Sequence, residues 1–166
     1  MSRAEFHALT AVIDYPMFVV TCAAGGEPAG CLVGFATQCS IDPPRHLVCL
    51  SHANRTEDVA KRADVLAVHL LSADQQDVAE LFGSQTGDEI DKFERCEWEP
   101  GPLGVPLLTA CPSRFVGRVF DRHAFGDHTG YVLDVVDAAA PDARYGDGFR
   151  PLTFQQVRHV EPGHPA

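Results

Sequence analysis

Three β-like runs follow one another near the start of the chain, and this succession constrains the fold more than any other feature. Glycine and proline separate the runs: Gly25-Gly26 favours a hairpin turn, and Asp42-Pro43-Pro44 imposes an extended bend. Consecutive strands of this kind predict a meander or the wall of a barrel. The three runs are Met17–Ala24, Ala29–Gln38 and His46–Leu50.

Two short helices are predicted further along the chain. Thr56–Arg62 offers Thr56 as the N-cap, with acidic residues in the first turn that complement the helix dipole. Ser72 and Gln75 form a capping-box pattern at the start of the second helix, and Gly83 is its expected stop. The remaining predicted strands are Val65–Leu71, Ser113–Arg122, Thr129–Val136 and Pro151–Val157, with a turn at His123–His128, a loop at 84–106 and a frayed tail at 161–166.

These elements predict a mainly β protein, a small barrel of about seven strands with short inserted helices. A chain of 166 residues suits one core, so we expect a single domain over 1–166 with its core at about 16–157. The strands do not alternate with helices, and no GxGxxG follows a strand. A doubly wound dinucleotide-binding fold is therefore not expected.

Charge and cysteine usage restrict the class of function. The formal net charge of −10 opposes nucleic acid and anionic membrane surfaces, so neither is an expected partner. No apolar run of about twenty residues and no secretory pattern at the N-terminus is present, which favours a cytoplasmic protein. Six cysteines without a CxxC pair and eight scattered histidines predict reduced core thiols and no metal site.

A polar cluster at the end of the third run suits an anion. Ser51, His52, Asn54, Arg55 and Thr56 place a hydroxyl, an amide and a guanidinium just before a helix. Backbone N–H groups at a helix start attract phosphate, and Arg55 can donate two hydrogen bonds to its oxygens. The alternative interpretation is a capped helix with a solvated arginine.

Several short motifs in a fixed order resemble the flavin reductase-like family of the FMN-binding split-barrel fold. The similarity extends from about Pro16 to Leu152. The motifs are Gly26-x-Pro28-x-Gly30, Asp42-Pro43-Pro44, Asn54-x-Thr56, Leu71-Ser72-x-x-Gln75, Lys92-Phe93, Gly126-Asp127-His128 and Pro151-Leu152. Two departures are His69, where family members often carry Asn, and the absence of a Gly-x-Tyr close near the end.

The resemblance implies a fold, a reaction and partners. The fold would be a split β-barrel, and the activity an NAD(P)H:flavin oxidoreductase that transfers a hydride from NADH or NADPH to FMN or FAD. A homodimer with the flavin near the subunit interface is expected. Many relatives supply reduced flavin to a partner monooxygenase, so such a partner is also expected here.

The resemblance also assigns roles to residues. His128 is the expected catalytic residue, positioning the nicotinamide, with Asp127 beside it. Lys92 and Phe93 are expected to approach the ligand, and the cluster Ser51, His52, Asn54, Arg55 and Thr56 to hold the phosphate. The strand expected to face the isoalloxazine ring and ribityl chain comprises Gly34, Phe35, Ala36, Thr37, Gln38, Cys39 and Ser40.

Other interpretations stay open at the level of sequence. The strand could be a buried strand only, Lys92 a solvated lysine and His128 a surface turn histidine. The whole chain could be an FMN-binding electron carrier without nicotinamide turnover, or a barrel for another planar cofactor such as a deazaflavin or haem. The sequence does not separate FMN from FAD, and the lack of an arginine cluster weakly favours NADH over NADPH.

Overall fold

The computed structural model describes residues 2–140 and 148–163. Within them the chain forms nine strands and four α-helices, and the fold class predicted from sequence is confirmed. The helices are α1 Arg3–Thr10, α2 Arg55–Ala60, α3 Gln76–Ser84 and α4 Phe154–Val157. The strands are β1 Phe18–Ala24, β2 Glu27–Val33, β3 Ala36–Ser40, β4 Arg45–Ser51, β5 Val65–Leu70, β6 Trp98–Pro100, β7 Pro106–Leu108, β8 Arg114–Phe125 and β9 His128–Ala139.

Seven strands form one antiparallel sheet in the order β2-β1-β5-β8-β9-β4-β3. The two edge strands, β2 and β3, are consecutive in the chain and joined only by Gly34 and Phe35. Val33 of β2 and Val48 of β4 belong to one buried cluster, although four strands separate β2 from β4 in the sheet order. The sheet therefore curls around its core without closing, as a split barrel does.

A second core lies outside the barrel, where α3 covers the sheet. Phe82 of α3 packs there with Leu71 and Leu152. The small sheet β6–β7 is tied to the barrel by the buried ring of His69, whose Nδ1 lies 3.1 Å from the Val19 carbonyl. The Leu108 amide donates to its Nε2 at 3.1 Å, so His69 satisfies backbone groups on two sheets.

The hairpin β8–β9 is longer and its turn tighter than predicted. Pairing continues to Phe125 opposite His128, which leaves Gly126 and Asp127 as the turn. Gly126 has φ of 72°, and a two-residue hairpin turn needs such a positive φ. The six-residue turn predicted at 123–128 is therefore wrong. Strand pairing, which the polar composition of this segment hides, extends to the tip.

The second predicted strand, Ala29–Gln38, is divided into β2 and β3. The break falls at Gly34 and Phe35, where the chain crosses from one edge of the sheet to the other. The Phe35 carbonyl accepts a hydrogen bond from the Cys49 amide at 2.9 Å, which turns the chain towards β4. Residue hydrophobicity is uninterrupted across this break, so the pattern alone cannot show it.

Both inserted helices start elsewhere than predicted. Asn54, not Thr56, caps α2, since its Oδ1 accepts from the Thr56 amide at 3.0 Å. The second helix starts at Gln76, although the Ser72 amide does donate to Gln75 Oε1 at 2.9 Å. Residues 71–73 stay outside the helix because their backbone is hydrogen-bonded to 150–152. The helix continues to Ser84, past the expected stop at Gly83.

The C-terminal strand predicted at Pro151–Val157 is wrong. Pro151 and Thr153 form only isolated bridges, and the helix α4 follows, with Thr153 and Gln156 as its capping box. The helix α1, with a Ser2–Glu5 capping box, is an element that we did not predict. The tail prediction falls partly on 164–166, outside the described residues. The predicted loop 84–106 contains β6, the start of β7 and 3-10 turns at Lys92–Glu94 and Pro102–Gly104.

The six cysteines all lie in the described part of the chain and are free thiols. Three of them are buried as predicted, at 22, 31 and 111. Cys39 is exposed, and Cys49 and Cys96 are half-buried. Among the described residues, no helix is both long and apolar enough to span a membrane.

Candidate functional site

A cleft of about 250 Å³ opens where the β2–β3 connection, the end of β4 and the start of β9 meet α3 and α4. Five of the predicted ligand residues line it: Gly34, Phe35, Ser51, Asn54 and His128. The pairing of Ser51 with His128 between β4 and β9 brings the polar cluster and the Gly-Asp-His turn together. Two motifs more than 70 residues apart therefore border one pocket, as the resemblance implies.

Aromatic rings form one wall of the cleft. Tyr15 and Phe154 stack with ring centres 5.0 Å apart, and Phe35 lies 5.4 Å from the His128 ring. Phe35 is 58% exposed, so its ring faces open space beside the cleft. A Cβ atom at Gly34 would lie 2.4 Å from the Tyr15 ring, so only glycine allows Tyr15 to approach this closely. The wall suits a flat, apolar ligand.

His128 is oriented by its neighbour in the turn. Its Nδ1 lies 2.7 Å from Asp127 Oδ1, and a carboxylate can only accept, so the Nδ1 carries the hydrogen. The hydrogen bond from His128 holds the pKa of Asp127 below its usual value. The histidine ring lines the cleft with its Nε2 available to a ligand, whereas Asp127 itself is exposed.

Short polar groups at the end of β4 also border the cleft. The Ser51 hydroxyl accepts from the Ala53 amide at 3.3 Å, and the Asn54 amide donates to the Ser51 carbonyl at 3.0 Å. These bonds form a tight turn from β4 into α2. His52 is exposed, and its ring contacts Thr129 on β9 rather than the cleft.

Arg55, Thr56, Lys92 and Phe93 line a second depression of about 180 Å³. It adjoins the cleft, because Asn54 borders one and Arg55 the other. The structure therefore divides the predicted ligand residues between two neighbouring pockets.

Arg55, in this depression, already has two carboxylate partners. Arg55 contacts Glu27 and donates to Asp88 at 2.9 Å. The hydrogen bond to Asp88 and the nearby Glu27 raise its pKa. Thr56 is buried. A phosphate that bound Arg55 would have to share the guanidinium with these two carboxylates.

Lys92 is buried, so the alternative of a solvated lysine is wrong. Its Nζ donates to the carbonyls of Gly30 at 3.2 Å and Phe82 at 3.1 Å. Removal from water lowers its pKa. Phe93 beside it packs edge-on against Phe82, with ring centres 5.8 Å apart. Lys92 and Phe93 therefore line the second depression as buried residues.

The rest of the predicted cradle strand lies away from the cleft. Ala36 packs against the barrel core, and Thr37, Gln38 and Cys39 are exposed on the edge strand β3. Gln38, Cys39 and Ser40 border a shallow depression near the bend at Asp42. Their proposed contact with a ring would require a ligand or a second subunit that reaches across this edge.

Sequence reasoning missed several residues that complete the cleft. Tyr15 precedes β1 and Phe154 starts α4, and no motif in the sequence marked either as part of a site. Cys31 and Cys49 also border the cleft, and burial raises the pKa of the Cys31 thiol to about 11. A neutral thiol of this kind acts as an apolar wall. Over the ranges 2–140 and 148–163, no group of three or more His, Cys, Asp or Glu side chains is placed to hold a metal ion.

The residues present fit a flavin on chemical grounds. The cleft combines an aromatic wall, a close backbone approach at Gly34, and the hydroxyl and amide groups of Ser51 and Asn54. An isoalloxazine ring needs the first two, and a ribityl phosphate needs the third. A carboxylate dyad or a metal is not required, since the cofactor itself carries the redox chemistry.

Comparisons with known proteins agree with this chemistry. Residues 10–163 match the flavin reductase like domain family. The FMN reductase (NADH) SmoA of Agrobacterium fabrum is 33% identical over 136 residues, which cover 82% of the chain and 72% of that protein. The NADH-dependent FAD reductase of Streptomyces globisporus is 27% identical over 136 residues, which cover 80% of the chain and 75% of that protein.

A solved structure shows the same architecture. Nitrilotriacetate monooxygenase component B from Mycobacterium thermoresistibile superimposes on the chain with a TM-score of 0.79 at 26% identity. The match covers 91% of this chain and 81% of that one.

Proposed function

The chain belongs to the flavin reductase like domain family, and we propose that it is an NAD(P)H-dependent flavin reductase. The observation that carries the proposal is the meeting of Ser51, Asn54 and His128 with an aromatic wall in one cleft. The relatives named above are reductases of FMN and of FAD that use NADH. FMN or FAD is therefore the proposed flavin, and NADH or NADPH the proposed reductant.

Each side of the cleft has a proposed task. The aromatic wall and the Gly34 backbone hold the ring system, while Ser51 and Asn54 hold the polar chain that leads to the phosphate. Arg55 and Thr56 lie at the adjoining depression, where they would reach the phosphate end. A bound flavin supplies the acceptor for the hydride that the nicotinamide gives up.

His128 is the proposed catalytic residue. With its Nδ1 hydrogen held by Asp127, its Nε2 is available to position the nicotinamide amide at the mouth of the cleft. Its ring also lies against Phe35, which limits its rotation. Its proposed contribution is orientation of the reacting rings, which does not require it to transfer a proton.

The proposed assembly is a homodimer in the cytoplasm. The β8–β9 hairpin carries exposed apolar side chains, including Phe120 at 55% and Phe125 at 52% exposure, which a second copy would cover. Six free thiols suit a reducing compartment. A partner monooxygenase that receives reduced flavin is also proposed, since one structural relative is a monooxygenase component.

The decisive experiment mixes the purified chain anaerobically with FMN or FAD and then with NADH or NADPH. Loss of the visible flavin absorbance at catalytic protein concentrations, against a protein-free control, is the expected result and names both substrates. Tight flavin binding without bleaching would instead identify an electron carrier. No flavin binding would refute the proposal and leave only the fold.

A further inference from the structure

A buried carboxylate lies outside the cleft. Glu57 of α2 is 0% exposed. Its Oε1 accepts from the Thr129 hydroxyl at 2.8 Å and lies 3.5 Å from the Tyr131 hydroxyl, while its Oε2 is 2.6 Å from Lys61 Nζ. Burial of a carboxylate is costly unless such partners are present. A neutral side chain would fill this place at lower cost, so the charge needs an explanation.

The charge of Glu57 sets the direction of a chain of hydrogen bonds. A carboxylate only accepts, so the Thr129 hydroxyl must donate its hydrogen to Glu57. The lone pairs of that hydroxyl then face His52 Nε2, 3.0 Å away. His52 must therefore donate from Nε2, and its neutral ring takes the tautomer with hydrogen on Nε2. The three residues form a relay with one defined direction.

The relay holds the chain on both sides of His128. Thr129, the next residue, is bonded to Glu57 and His52 through its side chain. Asp127, the preceding residue, accepts the His52 backbone amide at 2.9 Å through its carbonyl. The backbone pairing of β4 with β9 already places Ser51 opposite His128, and the side-chain bonds of Thr129 add a tie from this segment to α2.

We propose that Glu57 is a positioning residue, which through Thr129 and His52 holds the segment 127–129 so that His128 faces the cleft. This inference rests on the proposed reductase function for its catalytic consequence. Glu57 and Thr129 do not line the cleft, and so they act through His128 rather than on the ligand.

The hydrogen-bond direction is tested by NMR of the full chain without any cofactor. Long-range ¹H–¹⁵N spectra should show His52 with hydrogen on Nε2 in the unmodified protein. Thr129→Val, which keeps the shape but lacks the hydroxyl, should move the His52 tautomer ratio towards that of a free histidine and shift the His128 ring signals. Thr129→Ser should restore both. Glu57→Gln should give a mixture of His52 tautomers, because an amide can donate as well as accept.

Asp58→Asn is the matched control for Glu57→Gln. Asp58 lies on the same helix and contacts the same Lys61 at 3.3 Å, but its side chain is exposed. This variant should leave the His52 tautomer and the His128 signals unchanged. If Thr129→Val left both signatures unchanged, or if Asp58→Asn altered them as strongly as Glu57→Gln, the inference would be overturned.

Kinetics separate positioning from a general loss of structure. Thr129→Val should lower kcat about tenfold while the flavin KM stays within about twofold, and Thr129→Ser should recover most of the rate. A rise in the flavin KM of Thr129→Val without a fall in kcat would contradict the inference. A fall in kcat that Thr129→Ser does not reverse would contradict it as well. An unmodified chain that reduces no flavin would refute the proposed function, whereas the NMR signatures would still decide whether Glu57 sets the His128 segment.

Discussion

Asn54 and Arg55 are adjacent in the chain but line different pockets. The sequence predicts that both contact one phosphate. Asn54 caps α2 and borders the cleft, whereas Arg55 turns away towards Glu27 and Asp88. Successive residues at a helix start point in directions about 100° apart. A contact of Arg55 with phosphate is therefore a question for experiment.

Arg55→Ala should weaken FMN binding about tenfold or more if the guanidinium contacts the phosphate, since a hydrogen bond to a charged group contributes about 1.5–3 kcal/mol. Arg62→Ala is the matched control, because Arg62 pairs with the same Glu27 at 3.1 Å but borders neither pocket. Titration of flavin fluorescence measures both affinities. Equal affinities in the Arg55 variant and the unmodified chain would remove Arg55 from the site.

His128→Ala should lower the rate of nicotinamide oxidation at least tenfold while flavin affinity is largely kept, because the proposed role of the ring is to orient the second substrate. His123→Ala is the control, since His123 lies on the same hairpin, is exposed and pairs only locally with Asp121 at 3.0 Å. Steady-state NADH oxidation and a separate flavin titration give the two quantities. An unchanged rate would exclude His128 from the reaction.

His69 should make the stability of the fold depend on pH. Burial lowers its pKa to about 4, against an ordinary value of 6.5 in the unfolded chain. Between these values the unfolded chain binds the proton and the folded chain does not. Stability from this group is therefore complete above pH 6.5 and falls as the pH drops towards 4, by about 1.4 kcal/mol per unit.

The measurement is the free energy of unfolding in urea at several pH values for the unmodified chain and for His69→Asn. The difference between the two isolates the histidine, because the acidic groups that also titrate in this range are common to both. The unmodified chain should lose more stability than the variant between pH 6.5 and 4. Parallel pH profiles would show that the pKa of His69 does not differ between the folded and the unfolded chain.

At the scale of elements, Lys92 joins three parts of the molecule. It belongs to the turn Lys92–Glu94, and its ammonium donates to a carbonyl of β2 and to one of α3. The two carbonyls belong to Gly30 and Phe82. A buried lysine without a carboxylate partner is thus explained by the carbonyls it satisfies.

Lys92→Met keeps the length and apolar stem of the side chain but leaves both carbonyls without their donor. We expect a loss of about 2 kcal/mol in unfolding free energy. Each unsatisfied buried carbonyl costs about 1–3 kcal/mol, and part of this cost is offset because the methionine carries no charge that must be removed from water. Arg95→Met, at an exposed cation in the same segment, is the control and should change stability little. Chemical denaturation of both variants tests this, and equal effects would contradict the role of Lys92.

At the scale of the whole molecule, the proposed homodimer gives a prediction about mass. The chain weighs 18.0 kDa, and light scattering after gel filtration should give twice that value. Phe120→Glu, on the exposed side of β8, should shift the protein towards monomer because a carboxylate at an apolar interface is costly. Leu9→Glu is the control, since Leu9 is 67% exposed on α1. Monomeric mass for the unmodified chain would refute the assembly.

The single-domain prediction for 1–166 and the site roles remain predictions at this scale. The family resemblance is confirmed by a match over residues 10–163, and the mainly β class by the sheet itself. Each motif alone is short, so the family resemblance depends on their order along the chain. The pairing of β4 with β9 then brings the Ser51 and His128 motifs to one cleft.

The amino-acid sequence by itself determined the features that depend on neighbouring residues. Gly25-Gly26 marks the β1–β2 turn, apolar runs mark the central strands, and Ser72 with Gln75 marks the approach to α3. These signals act within a few residues of one another, where backbone preference and side-chain capping are local. They sufficed for the fold class and for the motifs that indicate a flavin.

Only the tertiary structure decided the features that depend on contacts between distant segments. Residues 71–73 stay outside α3 because their backbone is hydrogen-bonded to 150–152. Lys92 can be buried because Gly30 and Phe82 accept its hydrogen bonds. The relay from Glu57 joins residues more than 70 positions apart. Such contacts arise when the sheet curls and brings its edges together, a long-range geometry that no local pattern of residues specifies.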